Sequence, residues 1–337
     1  MMRIKTRPLL FAIVASASCS WLLATPHAAA QCVLTESQQL VAPDAAANAG
    51  FGAVDVHGMR AIVGAAGIRK AYIYDYDRAT ARWTHDTTIS PPPELDPGLG
   101  FGCSVGIAGP LAVVGACYSP KTGYGGAACM YHFDGTDWDW VDSPKWDWEA
   151  TRYYTFDWND GYGQSVAIDG NTAMVGAPHD AHWFFNGYAN VYSRSTDGSW
   201  SKGCSLPDSF HPWYNTAHFG QSIAIHHDVA VVGAPKDISP CDGESILGAA
   251  YVYRYVQGEW LQKAWIGPSD CDGVFRFGDA VSVAGYLIAV GAPSSDMAAR
   301  DAGAVYVFRY DQDEWVEIAM LSGSRAGDKF GSSVALS

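Results

Sequence analysis

Charge is scarce in this sequence. Only 17% of the 337 residues are Asp, Glu, Lys or Arg, against about a quarter in an ordinary soluble domain. Basic residues are the scarcer kind, 21 Lys and Arg against 35 Asp and Glu, and the net charge is −14. Such a chain has no positive field to hold a polyanion, which excludes nucleic acid or an anionic membrane surface as the main partner. After the first thirty residues there is no apolar run long enough to cross a bilayer as a helix. Catalytic signatures are missing as well. There is no Gly-x-Ser-x-Gly elbow, His-Glu-x-x-His zinc helix, phosphate loop or Gly-x-Gly-x-x-Gly dinucleotide fingerprint. What is abundant is glycine, with 36 residues, and aromatic side chains, at 13%. With 48% apolar residues, the chain has material for a core and is not disordered. Its composition suits many short strands joined by tight turns better than surface helices.

The first thirty residues read as an export signal. Arg3, Lys5 and Arg7 precede the apolar run Leu9 to Leu23, and Ala28-Ala29-Ala30 offers the small residues a signal peptidase needs. Cleavage is expected after Ala30, giving a signal peptide over 1–30, a single repeat domain over 31–337, and a secreted, extracellular or periplasmic product. Seven cysteines follow: Cys32, Cys103, Cys117, Cys129, Cys204, Cys241 and Cys271. In an exported chain these can pair, and the odd number leaves one without an intrachain partner.

Four signals recur along the rest. An aromatic-Gly pair appears at Phe51, Phe101, Tyr162, Phe219, Phe277 and Phe330, at intervals of 50 to 61 residues. Thirteen or fourteen residues after each of the first five comes Gly64-Ala65-Ala66, Gly115-Ala116-Cys117, Gly176-Ala177-Pro178, Gly233-Ala234-Pro235 or Gly291-Ala292-Pro293. Then comes an alternating strand beginning near Ala71, Ala128, Ala189, Ala250 or Ala304, and finally a Trp after a polar turn, at 83, 138, 200, 260 and 315. Turn residues fall where hairpins need them, and Pro178 stops its strand because proline cannot continue a ladder. Each unit therefore reads as four antiparallel strands. Repeats of this length and content predict an all-β fold, a β-propeller of four-stranded blades with five complete units and a partial sixth. The aromatic is expected to open the innermost strand and wedge between blades.

These motifs resemble FG-GAP repeats, which build the β-propeller of integrin α chains and of many exported bacterial proteins. The resemblance runs over residues 33–337. It implies a seven-bladed ring of which this chain would be a fragment, with a smaller ring as the alternative. Residues 33–50 would then supply a fourth strand and exit loop to the last blade. Integrin-type repeats also carry an Asp-x-Asp-x-Asp-Gly calcium loop between the two motifs. Here the matching turns, such as His57-Gly58-Met59 and Ala284-Gly285-Tyr286, hold at most one carboxylate. Calcium binding there needs several converging oxygens, so the calcium-free bacterial variety is expected, with no cofactor. Fold does not fix function.

Function is expected where the units differ. Loops between strands two and three, and between blades, share one face. That face carries Trp146, Trp148, Tyr153, Tyr154, Trp158, Trp183, Phe184, Trp213 and Tyr214, interspersed with Asp and Asn. Rings that stack on apolar faces beside groups that take hydroxyls suit sugar or peptide recognition; the alternative is a local core that pins the loops. His179, His182, His211 and His218 are weak metal candidates in the same loops. Asp147, Glu149, Asp157 and Asp160 could give a glycan hydrolase or lyase its carboxylate pair. Cys241 and Cys271 sit in two loops at one end of a unit and form the preferred disulfide. Cys103 and Cys117 flank the Gly109-Pro110 turn and form a second, for which Cys129 competes. The leading expectation is a non-catalytic binding or adhesion module for an extracellular protein or glycan. A secreted carbohydrate-active enzyme and a structural envelope or matrix protein are the alternatives.

Overall fold

The computed structural model describes residues 38–44, 47–117, 126–142, 161–179, 187–207, 217–241, 243, 245–271 and 273–337. Among them are twenty strands in five four-stranded antiparallel sheets, and a single 3-10 turn at Ala66–Ile68. The first blade holds β1 (Phe51–His57), β2 (Arg60–Ala65), β3 (Lys70–Asp77) and β4 (Arg82–Ile89). The second holds β5 (Gly100–Ala108), β6 (Leu111–Cys117), β7 (Ala127–Phe133) and β8 (Trp138–Asp142). The third holds β9 (Ser165–Asp169), β10 (Thr172–Ala177), β11 (Tyr188–Arg194) and β12 (Trp200–Pro207). The fourth holds β13 (Ser222–His226), β14 (Val229–Ala234), β15 (Ala249–Val256) and β16 (Glu259–Ile266). The fifth holds β17 (Ala280–Ala284), β18 (Leu287–Ala292), β19 (Ala304–Asp311) and β20 (Glu314–Ser322). Within each sheet the strands lie in chain order, and the first strands of successive blades contact one another.

The strands form where the pattern demands them. The second strand of every blade is an unbroken apolar run such as Ala-Ile-Val-Gly-Ala or Val-Ala-Val-Val-Gly-Ala, buried on both faces. An antiparallel sheet with one wet face would alternate instead. Both faces are dry because the core lies between blades. One cluster joins Ile62 and Ile73 of the first blade to Phe101, Val114 and Tyr131 of the second. Another joins Val231 and Val252 of the fourth to Phe277, Ile288 and Tyr306 of the fifth. Every blade carries a bulge at the same place, where strand three passes a large aromatic column (Tyr74, Tyr131, Tyr192, Tyr253, Phe308) and strand four slips. A bulge adds local twist, and its repetition gives all five sheets the same curl.

The two motif glycines meet across each seam. A Cβ on Gly64 would lie 2.1 Å from the carbonyl oxygen of Gly102, and one on Gly233 would lie 2.0 Å from that of Gly278. The glycine of the second motif in one blade thus abuts the glycine of the aromatic-Gly pair in the next, a backbone approach that no side chain permits. Serine tightens the contact: Ser104 Oγ donates to Gly163 O at 2.7 Å, Ser165 Oγ to Gly220 O at 2.7 Å, and Ser222 Oγ to Gly278 O at 2.9 Å.

Two expectations are corrected. From the third blade on, the aromatic does not open the inner strand: β9, β13 and β17 start three residues later. Phe219, Phe277 and Phe330 form isolated parallel bridges to Gly187, Gly248 and Gly303 of the preceding unit, because the following glycine turns the chain at φ near +90°. The rings still wedge, Phe219 against Tyr251 at 5.3 Å and Phe277 against Tyr306 at 5.4 Å. The described part of 33–50 forms no strand. Leu40 and Ala42 bury against Tyr72 and Tyr74, and Gln38 exchanges two hydrogen bonds with the Trp83 backbone. The segment is thus held by side chains on the first blade.

Candidate functional site

The hairpins joining strands one and two are two-residue turns whose first residue is left-handed: Gly58, Gly109, Gly170 and Gly285 have φ of 63°, 58°, 53° and 57°. That geometry matches the twist of antiparallel strands. In the fourth blade the position is His227, at φ 55°, a conformation uncommon outside glycine. Asp169 of the third blade caps it, accepting the His227 backbone N–H at 2.5 Å. The second turn residue is Met59, Pro110, Asn171, Asp228 or Tyr286. Tyr286 is 72% exposed, although an aromatic at a hairpin tip has little to pack on.

Between the fourth and fifth blades, at this hairpin end, is a cavity of about 250 Å³. Tyr286 stacks nearly parallel to Tyr310, at 6.4 Å and 10°, and Tyr310 leans on Trp315 at 5.2 Å. Arg254 lies across the seam with its guanidinium carbon 5.6 Å from the Tyr310 ring. Its Nη2 and Nε donate to Asp228 Oδ2 at 2.6 and 3.2 Å. This pair holds the Asp228 carboxyl below the usual carboxylate range and raises Arg254. His226 completes the wall: its ring lies 4.1 Å from that of His227, and its Nδ1 accepts the Gly285 N–H at 3.3 Å. The site therefore combines exposed ring faces, one matched ion pair and two imidazoles. It can stack a flat apolar face and hydrogen-bond the edge around it.

The expected aromatic face cannot be placed. Trp146, Trp148, Tyr153, Tyr154, Trp158, Trp183, Phe184, Trp213 and Tyr214 lie outside the described residues, as do His182, His211, Asp147, Glu149, Asp157 and Asp160. His179 and His218 are described and come together, with ring centroids 4.6 Å apart. Burial pushes both imidazoles down, His218 to about 4, with Lys236 adding to each. Among the described residues, no three His, Cys, Asp or Glu side chains converge as a metal site would need.

The structure brings together Cys241 with Cys271 and Cys103 with Cys117, at Cα separations of 5.9 and 6.0 Å, within disulfide range. Cys129 is buried in the core and Cys204 is exposed. Cys32 lies outside the described residues. No helix among the described residues is long and apolar enough to cross a membrane.

Sheets packed face to face, with first strands side by side and glycines interlocked at each seam, define a β-propeller of four-stranded blades. The family model for the FG-GAP repeat matches residues 157–192, 215–253 and 260–308, so the third, fourth and fifth blades carry FG-GAP repeats. A protein from Lactobacillus plantarum of known crystal structure is similar in fold, with TM-score 0.52 and 14% identity over 85% of this chain and 74% of that one. A candidate 6-phosphogluconolactonase from Bacteroides fragilis aligns at TM-score 0.46 and 9% identity, over 81% of this chain and 70% of that one. No curated protein matches the chain.

Proposed function

We propose that this protein is an exported, non-catalytic propeller that binds an extracellular protein or carbohydrate, an adhesion-type module. The observation that carries the reading is the open seam of the fourth and fifth blades, where ring faces and paired polar groups meet water instead of core. Two cysteine pairs at bonding distance support an oxidising compartment. The aromatic-rich stretches with Trp148 and Trp183, outside the described residues, are the second candidate on sequence alone. The test is a glycan and protein array probed with the wild type and with Trp148→Ala, Trp183→Ala and Tyr286→Ala. Specific binding that at least one variant loses is expected, with no product released from the bound glycan. Silence across the array, or turnover, overturns the reading. Mass spectrometry of the exported protein should find Gln31 at its N-terminus.

A further inference from the structure

We propose that the pocket between the fourth and fifth blades holds one neutral pyranose, as a free sugar or as the end residue of a glycan. The proposal rests on the binding-module reading and gives that module a ligand class. The platform is Tyr286. Its ring projects from a hairpin tip, is 72% exposed and is propped parallel on Tyr310. The matching tips of the other blades carry Met59, Pro110, Asn171 and Asp228, so nothing in the repeat itself calls for an aromatic there. A flat apolar surface left in water is what the C–H face of a sugar ring covers.

The polar edge fits hydroxyls. Arg254 is a planar donor, Asp228 is a carboxylate acceptor, and the two stand side by side as adjacent hydroxyls require. Both Arg254 contacts fall on Oδ2 of Asp228, which leaves Oδ1 outside that pair. His226 and His227 supply ring nitrogens on the same rim. The choice of a neutral sugar follows from the charges. Arg254 and Asp228 cancel each other, and His227 lies 3.2 Å from Asp169 of the neighbouring blade. A carboxylate on the sugar would compete with Asp228 for Arg254 and stand beside a like charge, and a free ammonium would compete with Arg254 for Asp228 and do the same, so neither charge meets only its complement here. The volume of about 250 Å³ lies below the roughly 300–1,000 Å³ of sites for larger ligands, which suits a single ring inside it. His227 stands at φ 55° where four sister turns have glycine. A strained non-glycine residue kept at a pocket rim is where functional constraint collects.

The test is titration calorimetry with parallel tryptophan fluorescence on the whole protein. The probes are the methyl glycosides of glucose, galactose, mannose and N-acetylglucosamine, with methyl glucuronide and methyl sialoside as the acidic arm. At least one neutral glycoside should bind, with Kd on the order of 1 mM, and both acidic ones at least tenfold more weakly. Tyr286→Ala should weaken binding at least tenfold, while Tyr286→Phe, which keeps the ring, should stay within about threefold. Asp228→Asn should weaken it by about tenfold. Because the Tyr286 side chain is exposed, the alanine variant should melt like the wild type, so its loss reports the ligand and not the fold. The proposal is overturned if none of the neutral glycosides binds at about 20 mM, if an acidic one binds best, or if Tyr286→Ala binds like the wild type. Array binding that Trp148→Ala or Trp183→Ala abolishes and Tyr286→Ala leaves intact removes the seam site and keeps the binding module.

Discussion

The seam between the first and second blades and the seam between the fourth and fifth use the same parts in opposite order. In the first, the arginine starts strand two and the acid sits on strand three. Arg60 grips Asp75 with both ends of its guanidinium, at 2.7 and 3.1 Å, and lies 4.5 Å over the Phe133 ring of the next blade. In the second, the acid is in the turn and the base is on strand three. Arg254 reaches one oxygen of Asp228 and lies farther from its ring, at 5.6 Å. The Arg60 side chain is 22% exposed and that of Arg254 is 35% exposed. The register position of Asp75, opposite the first residue of strand two, is Arg254 in the fourth blade, so there the cation rises from strand three and its acid from the turn. At one seam the guanidinium lies on a ring, and at the other it lines an open pocket. The interior glycine contacts do not differ, so only the rims were free to diverge.

The largest effects should be equal at the two seams. Gly64→Ala and Gly233→Ala each drive a Cβ into a neighbouring carbonyl. Each should cost about 3 kcal/mol or more, read as loss of cooperative melting or a large drop in midpoint. A tolerated alanine at either place would break the claim that the interiors are alike. The rims should differ. Arg60→Ala removes a bidentate pair and a ring contact and should cost about 1–2 kcal/mol. Arg254→Ala should cost under about 1 kcal/mol, as half-exposed pairs do; the reverse order would overturn the contrast between the rims. Smaller still is the strain at the pocket rim. His227→Gly should hold stability level or raise it by up to about 1 kcal/mol in urea melts, whereas a clear loss would show that the imidazole packs instead of straining.

The smallest effect is in pH. Because Arg254 lowers the Asp228 carboxyl, the pair adds stability that is present above the ordinary carboxylate value of 3.8. It is lost as pH falls through the lower folded value. The difference in melting temperature between the wild type and Asp228→Asn should therefore be flat from pH 7 to about 4 and shrink below that. A difference that disappears already at pH 5 would mean that Arg254 does not hold the acid.

Much of this architecture could be read from the chain. Glycine-alanine runs flanked by apolar pairs marked the central strands, because only a strand buried on both faces has no polar alternation. Cys103 and Cys117 were legible as neighbours because they flank one two-residue turn, but not their register: Cys117 lies opposite Gly100, and Cys103 sits in the bulge between Phe101 and Ser104. The start of the inner strand was not legible. Phe277-Gly278 looks like the beginning of a strand, yet the glycine turns the chain and hands the aromatic's backbone to the unit before. The open seam was not singled out either. Asp228, Arg254, Tyr286 and Tyr310 come from two repeats, and each alone looks like a turn or a packing residue. The usable signal was the second turn position, where Tyr286 stands in a column of Met, Pro, Asn and Asp. Such a column becomes a clue only once the turns are known to share one rim.

The parallel bridges from Phe219, Phe277 and Phe330 to the glycines of the preceding units have a consequence for dividing or shuffling this protein. In the third, fourth and fifth blades the segment that repeats along the chain and the segment that closes as a folded layer are offset, since each of these layers borrows its final stitch from the amino acids that follow it. Scissors placed just before an aromatic-glycine pair would take that stitch away from one partner and leave the other with a ring that has lost its backbone anchor. A cut just after the glycine, next to the serine or alanine that opens the inner strand, leaves both sides whole. Exchange of layers between such proteins should succeed at that junction and fail a few positions upstream.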